Sequence, residues 1–511
     1  MILETRIDVR NPQGAYFTVC VSPTVEPEPN RSYRSFMVDE SILNSSPADL
    51  VRDITSRSRT CSEVLEAFLA RIEAVNPAIN AICTLDESGA REQAALLDAA
   101  LSRGEQPGPL FGLPIAIKDL VETRGLRTTQ GSPLLSDWVP DHDQLFVTRL
   151  RDAGAIVIGK TNTPEFGAGS QTFNPIFGAT RNPYDLSRTV GGSSGGAAAA
   201  LASRMLPIAD GSDFGGSLRN PASFCNVVGF RVSPGVVPAY PKRALYEDLA
   251  VLGPMGRETT DVALLLSVMA GADPRDPLSN AAPAFDFRED LRADFRGRRI
   301  AWSPDLGFLP VEREVRDVLA KSVETFADLD CQVEEAAPDL RGAEEVFLTL
   351  RSARFVGAFA SVPEEARPML KDTIRWNIDQ GINLTPVEIA AAEARRADLY
   401  QGLLEFFTNF DFLALPAVQV APFAVETEWV EEIEGQRLEN YLQWMQSCCV
   451  ISLMPVPALS VPGGFTESGL PVGLQLVGRP RGDWELLQLA HAFEQATRFF
   501  DRRPATPEPQ I

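Results

Sequence analysis

Apolar positions along this chain change period several times, and the changes mark its elements. Val64, Leu65, Phe68, Leu69 and Ile72 recur at three- and four-residue steps, the spacing that lines one face of a helix. Thr60 and Glu63 stand just before them at capping-box spacing, so a helix is predicted to start there. The short uninterrupted runs 115–117 and 155–158 read instead as buried strands of a central sheet. The alanine-rich stretch 195–205 reads as a helix with Ser193 and Ser194 at its N-terminal end, where free N–H groups and the helix dipole favour developing negative charge. Further on, 299–303 and 331–334 read as strands flanking a helical stretch. Residues 387–407 form a long helix-forming run, and 484–493 an amphipathic one. No internal repeat or low-complexity tract interrupts the pattern.

Composition narrows the class of protein without identifying it. The 511 residues, 44% of them hydrophobic, suffice for a substantial core in one large unit or in two to three domains. A formal net charge of -22 repels nucleic-acid phosphate and anionic membrane surfaces, so neither is an expected partner. No apolar stretch approaches the roughly 20 residues of a membrane span. The 7 cysteines show no metal-ligand spacing; their odd number without a framework favours reduced thiols in a cytoplasm. Residues 1–35 carry charges and prolines without the apolar core of a secretory signal. The extension to about residue 45 reads as an arm, an oligomer contact or a start-site artefact, and the sequence does not choose among them.

Candidate chemistry concentrates in two glycine-serine clusters, Gly191-Gly192-Ser193-Ser194-Gly195-Gly196 and Gly211-Ser212-Asp213-Phe214-Gly215-Gly216-Ser217, separated by the alanine run. Such glycines let backbone N–H groups approach a ligand atom, and the serines supply hydroxyls able to attack or to carry protons. A lone cluster of this kind is ordinarily a turn. With only 2 histidines, His142 and His491, the chain has few imidazoles to activate a serine. Lys118 ends the run Gly112-Leu113-Pro114-Ile115-Ala116-Ile117-Lys118, and burial of that run would lower the amine's pKa until it could accept a proton near neutrality. The plain alternative is a strand-end charge snorkelling to water.

Two literal motif matches compete with this reading. Gly154-Ala155-Ile156-Val157-Ile158-Gly159-Lys160-Thr161 fits a phosphate loop in letters, but its middle is an apolar strand, whereas a true phosphate loop follows the strand and opens a helix. Gly191-Gly192-Ser193-Ser194-Gly195 fits a nucleophile elbow, with His491 downstream in the order that fold needs. Against it, His491 lies within an amphipathic helical pattern, where a histidine is more often packed or exposed than catalytic.

Lys118, the Gly-Gly-Ser-Ser-Gly-Gly cluster and the run Gly211-Ser212-Asp213-Phe214-Gly215-Gly216-Ser217-Leu218-Arg219-Asn220-Pro221-Ala222-Ser223 resemble the amidase signature family. The resemblance extends from about Ser46 to the C-terminus, through Pro164-Glu165-Phe166-Gly167, Thr180-Arg181-Asn182-Pro183, Gly253-Pro254-Met255 and Gly469-Leu470-Pro471-Val472-Gly473-Leu474-Gln475. It implies an α/β fold with a mixed central β-sheet sandwiched between layers of α-helices. It also implies a Ser-cisSer-Lys group: Ser217 as acylated nucleophile, Ser193 on a cis peptide bond as relay, Lys118 as base. Backbone N–H groups of Phe214, Gly215, Gly216 and Ser217 would form the oxyanion hole, with Ser194, Asp213 and Arg219 in support. Asp213 and Arg219 fit a purely structural ion pair equally well. No metal or organic cofactor enters this scheme.

The same resemblance divides one large catalytic domain into an extension at 1–45, a core at 46–272 and a variable region at 273–428 that covers the site and shapes the pocket. Residues 429–511 complete the core. Phe214 departs from the smaller polar residue of many members and predicts a more apolar pocket. Phe355, Trp376, Trp429, Tyr441 and Trp444 are candidates to line it, although such aromatics are more often core. The implied activity is hydrolysis of a linear carboxamide with an aryl or alkyl acyl group, or of a related ester or carbamate. Two alternatives remain: the amidase subunit of a tRNA-dependent amidotransferase, and an inactive amide-binding homologue. A small-molecule amide is the expected partner, and a homodimer stays open.

Overall fold

The helix expected after Thr60 runs Cys61–Ile79, and both halves of its capping box are formed. Thr60 Oγ1 accepts the Glu63 N–H at 3.0 Å and the Glu63 carboxylate accepts the Thr60 N–H at 2.7 Å. Its predicted apolar face is buried in the main core. This is a computed structural model, and it describes residues 6–10, 16–20, 39–280 and 286–505. Of the predicted extension at 1–45, Arg6–Arg10 and Tyr16–Cys20 pair antiparallel and Glu40–Asn44 is helical; 1–5, 11–15 and 21–38 lie outside the described residues.

Two sheets form the centre. Eight strands run in the spatial order Ala209–Asp213, Val251–Gly256, Val228–Arg231, Ala458–Phe465, Pro471–Val477, Phe412–Pro416, Arg299–Trp302, Gln332–Glu335. Arg299–Trp302 pairs parallel with both its neighbours, while every other pairing in this sheet is antiparallel, so the sheet is mixed. The helices flanking it make this a mixed α/β fold. Three of these strands come from 273–428, so that region is built into the central sheet. Phe412–Pro416 is a third short apolar run, wholly buried like the two read from the sequence, and was not among the expected strands.

The runs at 115–117 and 155–158 are strands, Pro114–Lys118 and Ile156–Thr161, wholly buried as expected. They do not belong to the large sheet. With Ile82–Leu85 they form a separate three-stranded sheet in which Ile156–Thr161 is central. Its edge strand Pro114–Lys118 lies beside Ala209–Asp213, the edge of the large sheet. A side chain rather than a backbone ladder bridges them: Asp210 Oδ1 accepts the Lys118 N–H at 3.0 Å.

The alanine run forms the helix Gly195–Ala202, buried along its length and shorter than the predicted 195–205. It can pack this closely because its first two residues are glycines. A Cβ on Gly196 would lie 2.4 Å from Asn162 N and 2.6 Å from Ala81 O, both backbone atoms. The long helix at 387–407 is Pro386–Phe406, and 484–493 lies within Asp483–Thr497. A second apolar cluster packs Phe359 and Ile374, from the helices Ala343–Phe359 and Asp372–Ile382, onto Leu134, Leu135 and Ala168. This seats the covering helices over the loops that follow Lys118 and Ile156–Thr161. Among the described residues no helix is long and apolar enough to cross a membrane.

Gly196→Ala is expected to destabilise the fold by about 1–3 kcal/mol, the usual range for overpacking a close backbone contact. Urea unfolding checks this: the midpoint should fall with the slope unchanged.

Candidate active site

Lys118 is the last residue of its strand, and its amine is fully buried. Nζ lies 2.7 Å from Ser193 Oγ, 2.8 Å from Ser194 Oγ and 3.1 Å from Ser212 Oγ. Burial brings its pKa down to about 7, although the charges of Asp210 and Asp213 work in the opposite direction. The protonation state decides what these contacts can do. As an ammonium, Nζ donates to all three hydroxyls; as a neutral amine it donates to two and can accept a proton from the third.

The two glycine-serine clusters meet around this amine. The peptide bond between Gly192 and Ser193 is cis. Thr172 Oγ1 donates to the Gly191 carbonyl at 2.8 Å and Ser170 Oγ to the Gly192 carbonyl at 2.7 Å, which holds both planes of the turn. Asn220 Nδ2 donates to Ser170 Oγ at 2.7 Å and ties this support to the helix Arg219–Cys225. The Ser194 N–H donates to the Ser217 carbonyl at 3.1 Å, joining the clusters directly. Ser193 and Ser194 are buried, whereas Ser217 is half-buried and its hydroxyl has no hydrogen-bond partner among the described residues.

Asp213 fixes the turn that carries Ser217. Its Oδ1 accepts the Gly216 N–H at 2.8 Å and its Oδ2 the Leu218 N–H at 3.2 Å. Arg219 holds both carboxylate oxygens, Nε to Oδ2 at 3.0 Å and Nη2 to Oδ1 at 2.9 Å. Arg231 Nη1 donates to the Asp213 carbonyl at 2.7 Å. Burial acts to raise the Asp213 carboxyl, but Arg219, Arg231 and these hydrogen bonds outweigh it and hold the group well below the usual carboxylate range. One consequence bears on the 214–217 backbone. The Gly216 N–H is taken by Asp213, whereas those of Phe214, Gly215 and Ser217 have no acceptor among the described residues.

The Phe214 ring is not in purely apolar surroundings. It packs edge-on against Phe347, centroids 5.9 Å apart, and the Arg351 guanidinium lies 5.2 Å from its centroid. Of the aromatic candidates, Trp444 is core, stacked on Phe224 and edge-on to Phe423. Tyr441 is buried with its hydroxyl bonded to Arg351 and Asn377, and Trp376 meets it edge-on. Phe355 lies against Arg351, and Trp429 packs against the main core.

The competing motifs have other duties. Lys160 lies inside the strand Ile156–Thr161, buried, donating to Thr123 Oγ1 at 2.9 Å and Thr128 Oγ1 at 3.0 Å, so no phosphate loop exists there. His491 sits against Thr259 Oγ1 at 3.0 Å, and exposed His142 pairs with Asp141. Ser193 therefore hydrogen-bonds a lysine where a nucleophile elbow would offer it a histidine. Sequence reading missed Ser170, Thr172, Asp210, Ser212 and Arg231. Ser212 carried a signal, standing inside the quoted cluster; the others reach the site only through long-range packing.

Comparison with known proteins places the chain among amidases. The family model described as Amidase matches residues 63–487. An acylamidase from Rhodococcus erythropolis is 36% identical over 475 residues, 92% of this chain and 99% of its own. A glutamyl-tRNA(Gln) amidotransferase component from Moorella thermoacetica is 37% identical over 478 residues, 88% of this chain and 96% of its own. Among solved structures, a bacterial aryl acylamidase of the amidase signature enzymes superposes with a TM-score of 0.85 at 28% identity, covering 89% of this chain and 98% of that one. Fold and relatives together define a hydrolase acting on carbon–nitrogen bonds. The chain belongs to the amidase signature family.

Asp213→Asn leaves two buried guanidinium groups without their counter-ion and is expected to destabilise the protein by about 3–5 kcal/mol. Because the folded carboxyl titrates below its unfolded value of about 4, its contribution is full above that pH and lost as pH falls through the folded value. Urea unfolding of both proteins should therefore show a gap that is constant from pH 7 to about 5 and narrows below about 4.

Proposed function

We propose that this enzyme hydrolyses a linear carboxamide, with an aryl or alkyl acyl group, through an acyl-enzyme on Ser217. The observation that carries the reading is a buried lysine amine with a pKa near 7, 2.7 Å from the hydroxyl of Ser193. Neutral Lys118 takes the Ser193 proton as Ser193 takes that of Ser217, and Ser217 Oγ forms a bond to the amide carbon. Backbone N–H groups of Phe214, Gly215 and Ser217 stabilise the oxyanion; the Gly216 N–H leaves this set because it serves Asp213. Collapse breaks the carbon–nitrogen bond, and the relay run backwards protonates the departing amine. Water then attacks the ester with the same groups as base, releasing the acid and restoring Ser217. An ester or carbamate passes through the same steps.

Likeness to the amidotransferase component supports a second reading, in which the chain hydrolyses glutamine and a partner protein uses the ammonia. Glutaminase activity together with co-purification of such a partner would favour it over turnover of simple amides.

A serine-directed phosphonate should label the wild-type protein and leave Ser217→Ala unlabelled, as read by intact mass. Lys118→Ala should lose about a hundredfold or more in amide turnover, the scale of general-base catalysis, while His491→Ala keeps its activity. Turnover lost in the histidine variant and kept in the lysine variant would sink the relay.

The pH profile tests the base independently. kcat/KM should rise through a pKa near 7 as Lys118 loses its proton. Asp210→Asn removes a negative charge that favours the ammonium, so the rising limb should move to lower pH. An unmoved or upward-shifted limb would count against Lys118 as the group titrating.

A further inference from the structure

Among the described residues Arg351 is a buried cation with no acidic partner. It lies on the helix Ala343–Phe359, one turn beyond Phe347, and is 6% exposed. Nε donates to Asn377 Oδ1 at 3.2 Å and Nη2 to Tyr441 Oη at 3.0 Å. Among the described residues Nη1 has no hydrogen-bond partner, and no carboxylate comes within 4.0 Å of the guanidinium. Its neighbours in sequence and in type are treated differently. Arg354 meets Glu247 and Asp248, and the other buried arginines near the site, Arg219 and Arg231, share Asp213. A buried charge without a counter-ion is expensive, and hydrogen bonds to neutral groups offset only part of that expense.

Its position is as informative as its lack of a partner. The guanidinium lies 4.4 Å from the Phe355 ring centroid and 5.2 Å from that of Phe214. Phe214 is the first residue of the loop ending at Ser217, so one aromatic ring separates the unpaired cation from the backbone that faces the reacting carbonyl. Both rings are half-buried, so the stack borders accessible space. Asn377 and Tyr441, themselves linked by a 2.6 Å hydrogen bond, fix one side of the guanidinium and leave the Nη1 side unbonded. That is a preorganised fork for an oxyanion, the geometry at which arginine exceeds lysine.

We propose that Arg351 is the recognition group for a carboxylate on the substrate, so that the enzyme's preferred substrates are amides bearing a free carboxylate. This rests on the amidase reading above and narrows its substrate class. The carboxylate would supply the missing counter-ion, and its hydrogen bonds to Arg351 would orient the acyl or amine part while the amide carbonyl reaches Ser217.

Two matched pairs test it: glutaric mono-4-nitroanilide against valeryl 4-nitroanilide, which place the charge on the acyl side, and 4-(butyrylamino)benzoate against butyranilide, which place it on the amine side. Wild type should favour the carboxylate member of at least one pair by about tenfold or more in kcat/KM, the scale of one charge-assisted hydrogen bond. Arg351→Met should lower the carboxylate member's kcat/KM at least about tenfold more than the neutral member's, with Arg351→Lys between the two. Independently of any variant, free glutarate should slow phosphonate labelling of wild type more than valeramide does at equal concentration. Equal use of both members by wild type, or an equal fall for both in Arg351→Met, would make the arginine a structural cation and overturn the proposal. Labelling of Ser217 without turnover or glutarate protection overturns this substrate class alone; absence of labelling as well overturns the amidase reading beneath it.

Discussion

A lysine amine with no access to water is the constraint around which this structure is arranged. An ammonium is costly to bury, and the protein lowers the cost by letting the group sit near its neutral form. Every partner of Nζ is a hydroxyl, which can be acceptor or donor as the proton requires. Carboxylates stay off the amine itself: Asp210 takes the backbone N–H of Lys118, and Asp213 is saturated by Arg219 and Arg231. A carboxylate directly on Nζ would have fixed it as a cation. Charge is present around the site, but no carboxylate bonds the amine itself.

That separation explains why Asp213 and Arg219 matter without touching the amine. Their ion pair shapes the turn that presents Ser217, and it removes one N–H from the loop in doing so. In the proposed reaction the remaining amides would hold the developing oxyanion, in a turn fixed by a strongly ionised carboxylate. The covering helices bring a different kind of chemistry. Phe347 and Arg351, one turn apart, set an aromatic ring and a cation against Phe214, so the surroundings that the Phe214 side chain predicted as apolar contain a charge.

What the sequence disclosed follows from the range of each interaction. The capping box at Thr60 and Glu63, the buried run ending at Lys118 and the alanine helix after Ser194 are local patterns, and each formed within a few residues of its expected bounds. The meeting of Lys118 with Ser193, and of the two clusters, was anticipated because the lysine ends an apolar run and both serines lie in dense glycine clusters. The split of the centre into two sheets was not legible, since edge-to-edge placement of Pro114–Lys118 and Ala209–Asp213 leaves no mark in either strand. Ser170, Thr172 and Arg231 escaped for the same reason: a serine, a threonine and an arginine acquire meaning only from carbonyls and carboxylates brought to them from elsewhere in the chain.

Arg219 reaches forward to Ser452 and to Gln475, which lies on the strand Pro471–Val477. Synthesis of this chain therefore completes Lys118, Ser193 and Ser217 long before it delivers the groups that receive Arg219. A polypeptide halted after the second glycine cluster contains all three of these residues, yet lacks the partners that hold Arg219 behind the Ser217 turn. Support for the turn that carries Ser217 is complete only with the C-terminal strands. The two ends of the ion-pair network behind Ser217 are thus separated by more than half of the chain.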